Sequence, residues 1–171
     1  MGLVAVLCVA FVLHLRTLAA SPDPVFVIEH EIEIAAPPED VWRVLTDFAA
    51  YPEWNPYVLR LGGTLEPGGA IAVTIAQSNW PKPLTVHPTI VTLDAPRELR
   101  WHGSALTTGF LETDHYFRLE PLAGNRTRLR HAEEFRGWRA LRIDNEEHHQ
   151  HTRAAFQAMN RALAARVGDE Q

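Results

Sequence analysis

Strict alternation of apolar and polar positions opens the foldable part of the chain. From Val27 to Ile34, Ile28, His30, Ile32 and Ile34 fall on one side, and Glu29, Glu31 and Glu33 on the other. A period of two is that of a strand with one face buried and one in water. Pro37 and Pro38 stop it, because proline supplies no backbone donor. Glu39 and Asp40 then suit the positive end of a helix, which the stripe Val41, Trp42 and Leu45 carries to about Asp47. A proline-punctuated aromatic loop, AYPEWNP over 50–56, follows.

Further strands are expected over Val58–Leu61, Ala70–Ile75, Leu84–Leu93 and Glu98–Gly103, with Pro88 marking an edge or a bulge in the third. The clearest hairpin joins Phe110–Leu119 to Arg126–Phe135 through Gly124-Asn125. His115, Phe117 and Leu119 share one face of its first strand; Leu129, His131, Glu133 and Phe135 share one face of its second. Arg118, Arg126, Arg128 and Arg130 take the other face, as a solvated surface requires. Spacing then changes to that of a helix. Ala155, Phe156, Met159, Leu163 and Val167 recur on one stripe, and Asp144 with Glu147 forms a candidate capping box. The helix has an alternative start near Trp138. The elements therefore read as α+β.

The 171 residues are of single-domain size and can bury a real core. With 46% hydrophobic and 22% charged residues the composition is that of a globular domain. The net charge of −5 is spread along the chain, with no cluster of Lys and Arg to hold phosphates, so nucleic acid is not a partner. Cys8 is the single cysteine, which excludes an intrachain disulfide and a thiolate metal site. Residues 1–20 form an apolar segment, interrupted at Arg16, and 21–25 a proline-containing linker. Three readings of that segment stand side by side: a cleaved signal peptide, a membrane anchor making membrane contact through residues 2–20, and a start codon assigned upstream of the folded chain. Each carries its own localisation, exported for the first and membrane-associated for the second. The domain spans 26–167, and 168–171 is a polar tail. Nothing in the sequence sets an oligomeric state.

Strand, short helix, aromatic turn, a run of strands and a terminal helix is an order with a known parallel. The stretches IEIAAPPEDVWRVLTDFAAYPEWNP (32–56), PRELRWHG (96–103), HYFRLEP (115–121), TRLRHAEEFRG (127–137) and AFQAMNRAL (155–163) carry it. On these the chain resembles the START-related helix-grip superfamily, SRPBCC, and within it the polyketide cyclase/dehydrase and lipid-transport branch. The resemblance implies a helix-grip fold: a curved antiparallel sheet of about seven strands wrapped around the long C-terminal helix, with a cavity between them. Family members include lipid carriers, hormone receptors, aromatase/cyclases and oxygenase subunits, so fold transfers better than function. No iron-sulfur pattern is present, and no cofactor is expected.

A sheet bent this far leaves space that side chains or a ligand must fill. Strand alternation nominates Ile28, His30, Ile32, Trp101, His115, Phe117, Leu129, His131 and Glu133 as ligand-contact residues. The helix adds Phe156, Met159 and Leu163, while Trp54, Asn55 and His149 are placed at the pocket entrance. Most are apolar, which suits a hydrophobic small molecule or lipid. His115, His131 and Glu133 are also candidates for acid-base chemistry in a cyclase or dehydratase, because imidazole titrates near neutrality. Equally, inward polar residues can simply satisfy one another. A third reading is a structural or interaction protein with a collapsed cavity, filled by Trp101, Phe117 and Phe156. The histidine-rich stretch around His148 and His151 reads as a solvated first helical turn, with no metal assigned. Phosphate loops, nucleophile elbows and zincin motifs are absent from the sequence.

Overall fold

The computed structural model describes residues 23–169. The segment 1–20, with Cys8 and Arg16, lies outside them. Among the described residues, eight strands form two antiparallel sheets. The larger runs β1–β8–β7–β6–β5, from β1 (Phe26–Ile34), β8 (Arg126–Arg136), β7 (Leu111–Leu122), β6 (Glu98–Ala105) and β5 (Thr89–Asp94). The smaller runs β2–β3–β4, from β2 (Val58–Gly63), β3 (Ile71–Ile75) and β4 (Leu84–Val86). The two meet at an isolated bridge between Ala70 and Thr89 and at backbone bonds such as Ile71 N to Pro88 O at 3.0 Å.

The single strand expected over 84–93 is thus two. His87-Pro88 parts them, and the halves pair with different neighbours, β3 and β6. Proline has no N–H to continue a ladder, so the chain changes sheet at that residue. The hairpin is as expected, and Gly124 and Asn125 both take positive φ in its turn, at 77° and 56°. At the other end of β8, Gly137 has φ 88°, and an added Cβ there would lie 2.7 Å from the Gly109 and Phe110 carbonyl oxygens. Only glycine lets these two loops touch.

Helix α1 (Pro38–Thr46) begins on Pro38, whose fixed φ suits a first helical position. It buries Val41, Val44 and Leu45; Trp42 is only half covered. A single-turn helix α2 (Tyr51–Trp54) leads into Asn55, whose Oδ1 accepts from Tyr57 N at 3.0 Å and Val58 N at 2.9 Å. This Asx turn fixes how the chain enters β2. One turn, α3 (Ala140–Ile143), precedes the long α4 (Glu146–Asp169). The capping box on Asp144 does not form. Asn145 Oδ1 accepts from His148 N at 3.0 Å instead, and Asp144 receives His149 Nε2 at 2.9 Å. Helix continues through Gly168 to Asp169, beyond the expected start of the tail.

The core lies between the large sheet, α1 and α4. Ile28, Leu45, Leu99, Phe117, Leu129, Phe156, Met159 and Leu163 have no exposed surface. Each such side chain contributes about 1.5–3 kcal/mol by leaving water. On the solvent face Arg130 pairs with Glu29 and Arg126 with Glu33, exposed contacts worth about 0–1 kcal/mol apiece.

Candidate functional site

Strand register arranges the inner face of the large sheet in rows. The first holds Ile32, Leu129 and Leu119; the second His30, His131, Phe117 and Leu99. Two residues further along each strand come Ile28, Glu133, His115, Trp101 and Ile90, and then Phe26, Phe135, Thr113 and Gly103. Helix α4 fills the space over the first two rows with Phe156, Met159 and Leu163, all fully buried. Toward its N-terminus the helix presents Thr152 and His148 to the last two rows, where the sheet has Thr113 and Gly103. Small side chains on both sides leave a cavity of about 370 Å³. Its walls also include Tyr57, Val58, Val73, Ile75, Gln77, Trp80, Leu84, Val86, Leu111 and Ile143, so the small sheet closes the far side.

Of the residues nominated from sequence, Trp101, His115 and Glu133 line this cavity. Phe117, Leu129, His131, Phe156 and Met159 are buried beneath it, and Ile32 and His30 sit half-covered at the β1 edge. The entrance residues lie elsewhere. Trp54 packs edge-on against Tyr51, Asn55 is spent on its turn, and His149 stacks on Phe26 with ring centroids 5.0 Å apart. His148, read from sequence as solvated, is on the cavity wall. The signal was present: 156, 152 and 148 are four apart, which continues the buried stripe one turn further. Tyr57 and Gln77 carried no such signal, since their loops bring them in.

Polar atoms gather at one wall. His115 is stacked on Trp101, centroids 4.7 Å apart and rings within 6° of parallel. Its Nε2 lies 2.8 Å from Nε2 of His131, and its Nδ1 3.7 Å from Glu133 Oε2. His131 Nδ1 in turn contacts Asn160 Oδ1 at 2.8 Å, and Asn160 Nδ2 donates to His30 Nδ1 at 3.0 Å. Burial holds the His131 imidazole well below its usual range, with the neighbouring His115 and His30 adding to the shift and Asn160 opposing it. His148 is also lowered, first by burial, with Glu133 opposing. Burial, then the Glu133 charge, pushes the Tyr57 hydroxyl far up, against a hydrogen bond with Gln77. Gln77 Nε2 donates to Thr152 Oγ1 at 3.2 Å. Gln77 Oε1 and His148 Nε2 are buried with no hydrogen-bond partner among the described residues. Such atoms in a native interior call for an explanation. No group of three or more His, Cys, Asp or Glu among the described residues is placed to hold a metal ion.

A partly open, largely apolar space with a few converging polar groups, under a helix gripped by a curved sheet, is the architecture of the START/SRPBCC superfamily. The chain belongs to the polyketide cyclase / dehydrase and lipid transport family, whose model matches residues 25–168. No curated protein matches it. Among solved structures it is similar to a START superfamily protein from Mycobacterium smegmatis, with TM-score 0.67, 16% identity and coverage of 85% of this chain and 99% of that one. The Zhui aromatase/cyclase from Streptomyces sp. R1128 gives TM-score 0.60 and 20% identity over 84% and 93% of the two chains. Norcoclaurine synthase from Thalictrum flavum, in complex with dopamine and hydroxybenzaldehyde, gives 0.63 and 16% over 85% and 88%. At these identities the likeness is one of fold.

Proposed function

We propose that the protein binds one hydrophobic small molecule or lipid in this cavity, its body against Val58, Val73, Ile75 and Leu111 and its polar group at His115, Glu133 and His148. The observation that carries the reading is the 370 Å³ space with polar groups at one wall, within the range of about 300–1,000 Å³ typical of ligand pockets. Although Phe117 and Phe156 fill the rows beneath, they do not fill this one. Native mass spectrometry of the purified protein, with solvent extraction of any bound compound, tests it. Bound ligand that disappears in Thr152→Phe, which fills the space, supports the reading. A protein that stays empty across a panel of lipids and aromatics refutes it.

A second reading, an enzyme of the cyclase or dehydratase type, draws support from the His131–His115–Glu133 contacts at the wall. His115 Nδ1 would take a proton from carbon next to a carbonyl and return it to a departing hydroxide as water, while the Glu133 carboxylate stabilises the transient imidazolium. Mass spectrometry of a β-hydroxy ketone incubated with the protein discriminates: loss of water that needs His115 favours the enzyme, and an unchanged probe favours the carrier.

Membrane contact is part of the same proposal. Leu84 and Val86 line the cavity and are also exposed; exposed Leu106 follows Ala105 on the wall, and exposed Leu141 shares α3 with Ile143. Val25 N donates to Phe135 O at 2.8 Å and Phe26 stacks on Phe135, itself on the wall. The described chain thus begins beside the cavity wall. An apolar rim of this kind, in a chain whose sequence opens with an apolar segment, suits exchange of ligand with a bilayer. Among the described residues no helix is long and apolar enough to cross a membrane.

A further inference from the structure

The hydrogen bonds beneath the cavity fix which nitrogens of the His131–His115 pair carry hydrogens. Asn160 Nδ2 approaches both His30 Nδ1, at 3.0 Å, and the His30 carbonyl oxygen, at 3.4 Å. A carbonyl oxygen only accepts, so the amide NH₂ is on that side and Oδ1 faces His131. His131 Nδ1, 2.8 Å from that oxygen, must then carry hydrogen. The His131 ring is fully buried and stays neutral, so its Nε2 has a lone pair. His115 Nε2, 2.8 Å away, has to be the donor. A neutral His115 is left with a lone pair on Nδ1, directed at the cavity wall where the Glu133 carboxylate stands 3.7 Å away. Gln77 adds another acceptor, because its NH₂ is committed to Thr152 while Oε1 has no partner.

From this arrangement we infer that the polar wall selects a hydrogen-bond donor: the cavity takes an apolar alcohol or phenol through its hydroxyl hydrogen and discriminates against carboxylates. The inference rests on the cavity-binding reading and names the ligand class within it. An alcohol or phenol O–H can donate to His115 Nδ1 or to Glu133, whereas an ionised carboxylate brings two more acceptors and a charge of the same sign as Glu133. A fatty acid is therefore a poor occupant, and a hydroxylated polycycle or a fatty alcohol a good one. His131 and Asn160 touch no ligand; they are positioning residues that hold the tautomer.

Three probes of one shape separate the outcomes: 2-naphthol, naphthalene and 2-naphthoate, titrated calorimetrically into the full-length protein at about pH 8. The expected result is naphthol binding at least about tenfold more tightly than naphthoate, equivalent to about 1.4 kcal/mol. Glu133→Gln, at a partly solvated position, should bring the two within about twofold by removing the repelling charge and adding an NH₂ donor. In His131→Phe the tautomer is released, and the preference should narrow while naphthalene binding persists. Equal binding of naphthol and naphthoate, with naphthalene also bound, overturns the inference and leaves the cavity reading standing. A preference for naphthol that Glu133→Gln does not change also overturns it. Failure of all three probes to bind takes down both.

Discussion

Acidification from about pH 8 to 5.5 probes the buried His131 directly. Its imidazole is enclosed by Phe117, Phe156 and His115, with the Phe156 ring stacked at 3.8 Å. The folded state therefore refuses a proton that the unfolded chain accepts near pH 6.5. Above that value His131 is neutral in both states and costs nothing. Below it the unfolded state binds more protons, so stability falls as pH falls, until the folded-state pKa is reached. With an unfolded pKa of about 6.5, the loss from His131 grows as pH falls below that value and is on the order of 1 kcal/mol by pH 5.5, relative to pH 8. His30 and His148 are lowered as well and add in the same direction, discounted for their partial exposure. In urea the midpoint should drop by about 0.5–1.5 M between pH 8 and 5.5. His131→Gln cannot titrate and should lose that share of the slope, although it is less stable at pH 8. An unchanged midpoint in the wild type, or the same slope in the variant, refutes a neutral His131 and the tautomer argument built on it.

Other expectations follow from the same rows of side chains. Phe156→Ala empties the space between His131, Tyr57 and the helix and should cost about 3–5 kcal/mol in chemical denaturation. Thr152→Phe should abolish ligand occupancy while lowering stability by about 1–3 kcal/mol, because it leaves the buried Gln77 Nε2 without its partner; a variant that still extracts with ligand contradicts the cavity assignment. Leu106→Asp combined with Leu141→Asp should reduce flotation of the full-length protein with anionic vesicles and leave naphthol binding unchanged. Full retention on vesicles would remove the rim from the membrane surface.

Much of this architecture is legible in one sequence, for reasons that particular residues show. The alternation in β1 survives intact because Glu29, Glu31 and Glu33 have water to face, and a slip by one residue would bury them. The hairpin of β7 and β8 is written by Gly124-Asn125, which few other residues could replace. Local pattern says less where long-range pairing decides. The stretch 84–93 reads as one strand, yet Pro88 hands its halves to different sheets. The cavity shows the same limit. Alternation identifies the inner face, but the boundary between core and cavity depends on where α4 lies across the strands. His131 and Phe117 stand two residues from Glu133 and His115 on the same strands and fall on the other side of that boundary. Asn145 displacing Asp144 as the cap shifts nothing by more than a residue, as is usual at helix ends.

That boundary separates two jobs along each strand. Leu119, Phe117, Leu129 and His131, nearer the hairpin turn, clasp the terminal helix, whereas His115 and Glu133, one pleat further along the same strands, face the cavity. Exchanges at Thr113 or Glu133 therefore reshape the cavity and leave the rows under the helix in place. Solved structures of the same shape at 13–20% identity keep this fold while their sequences differ.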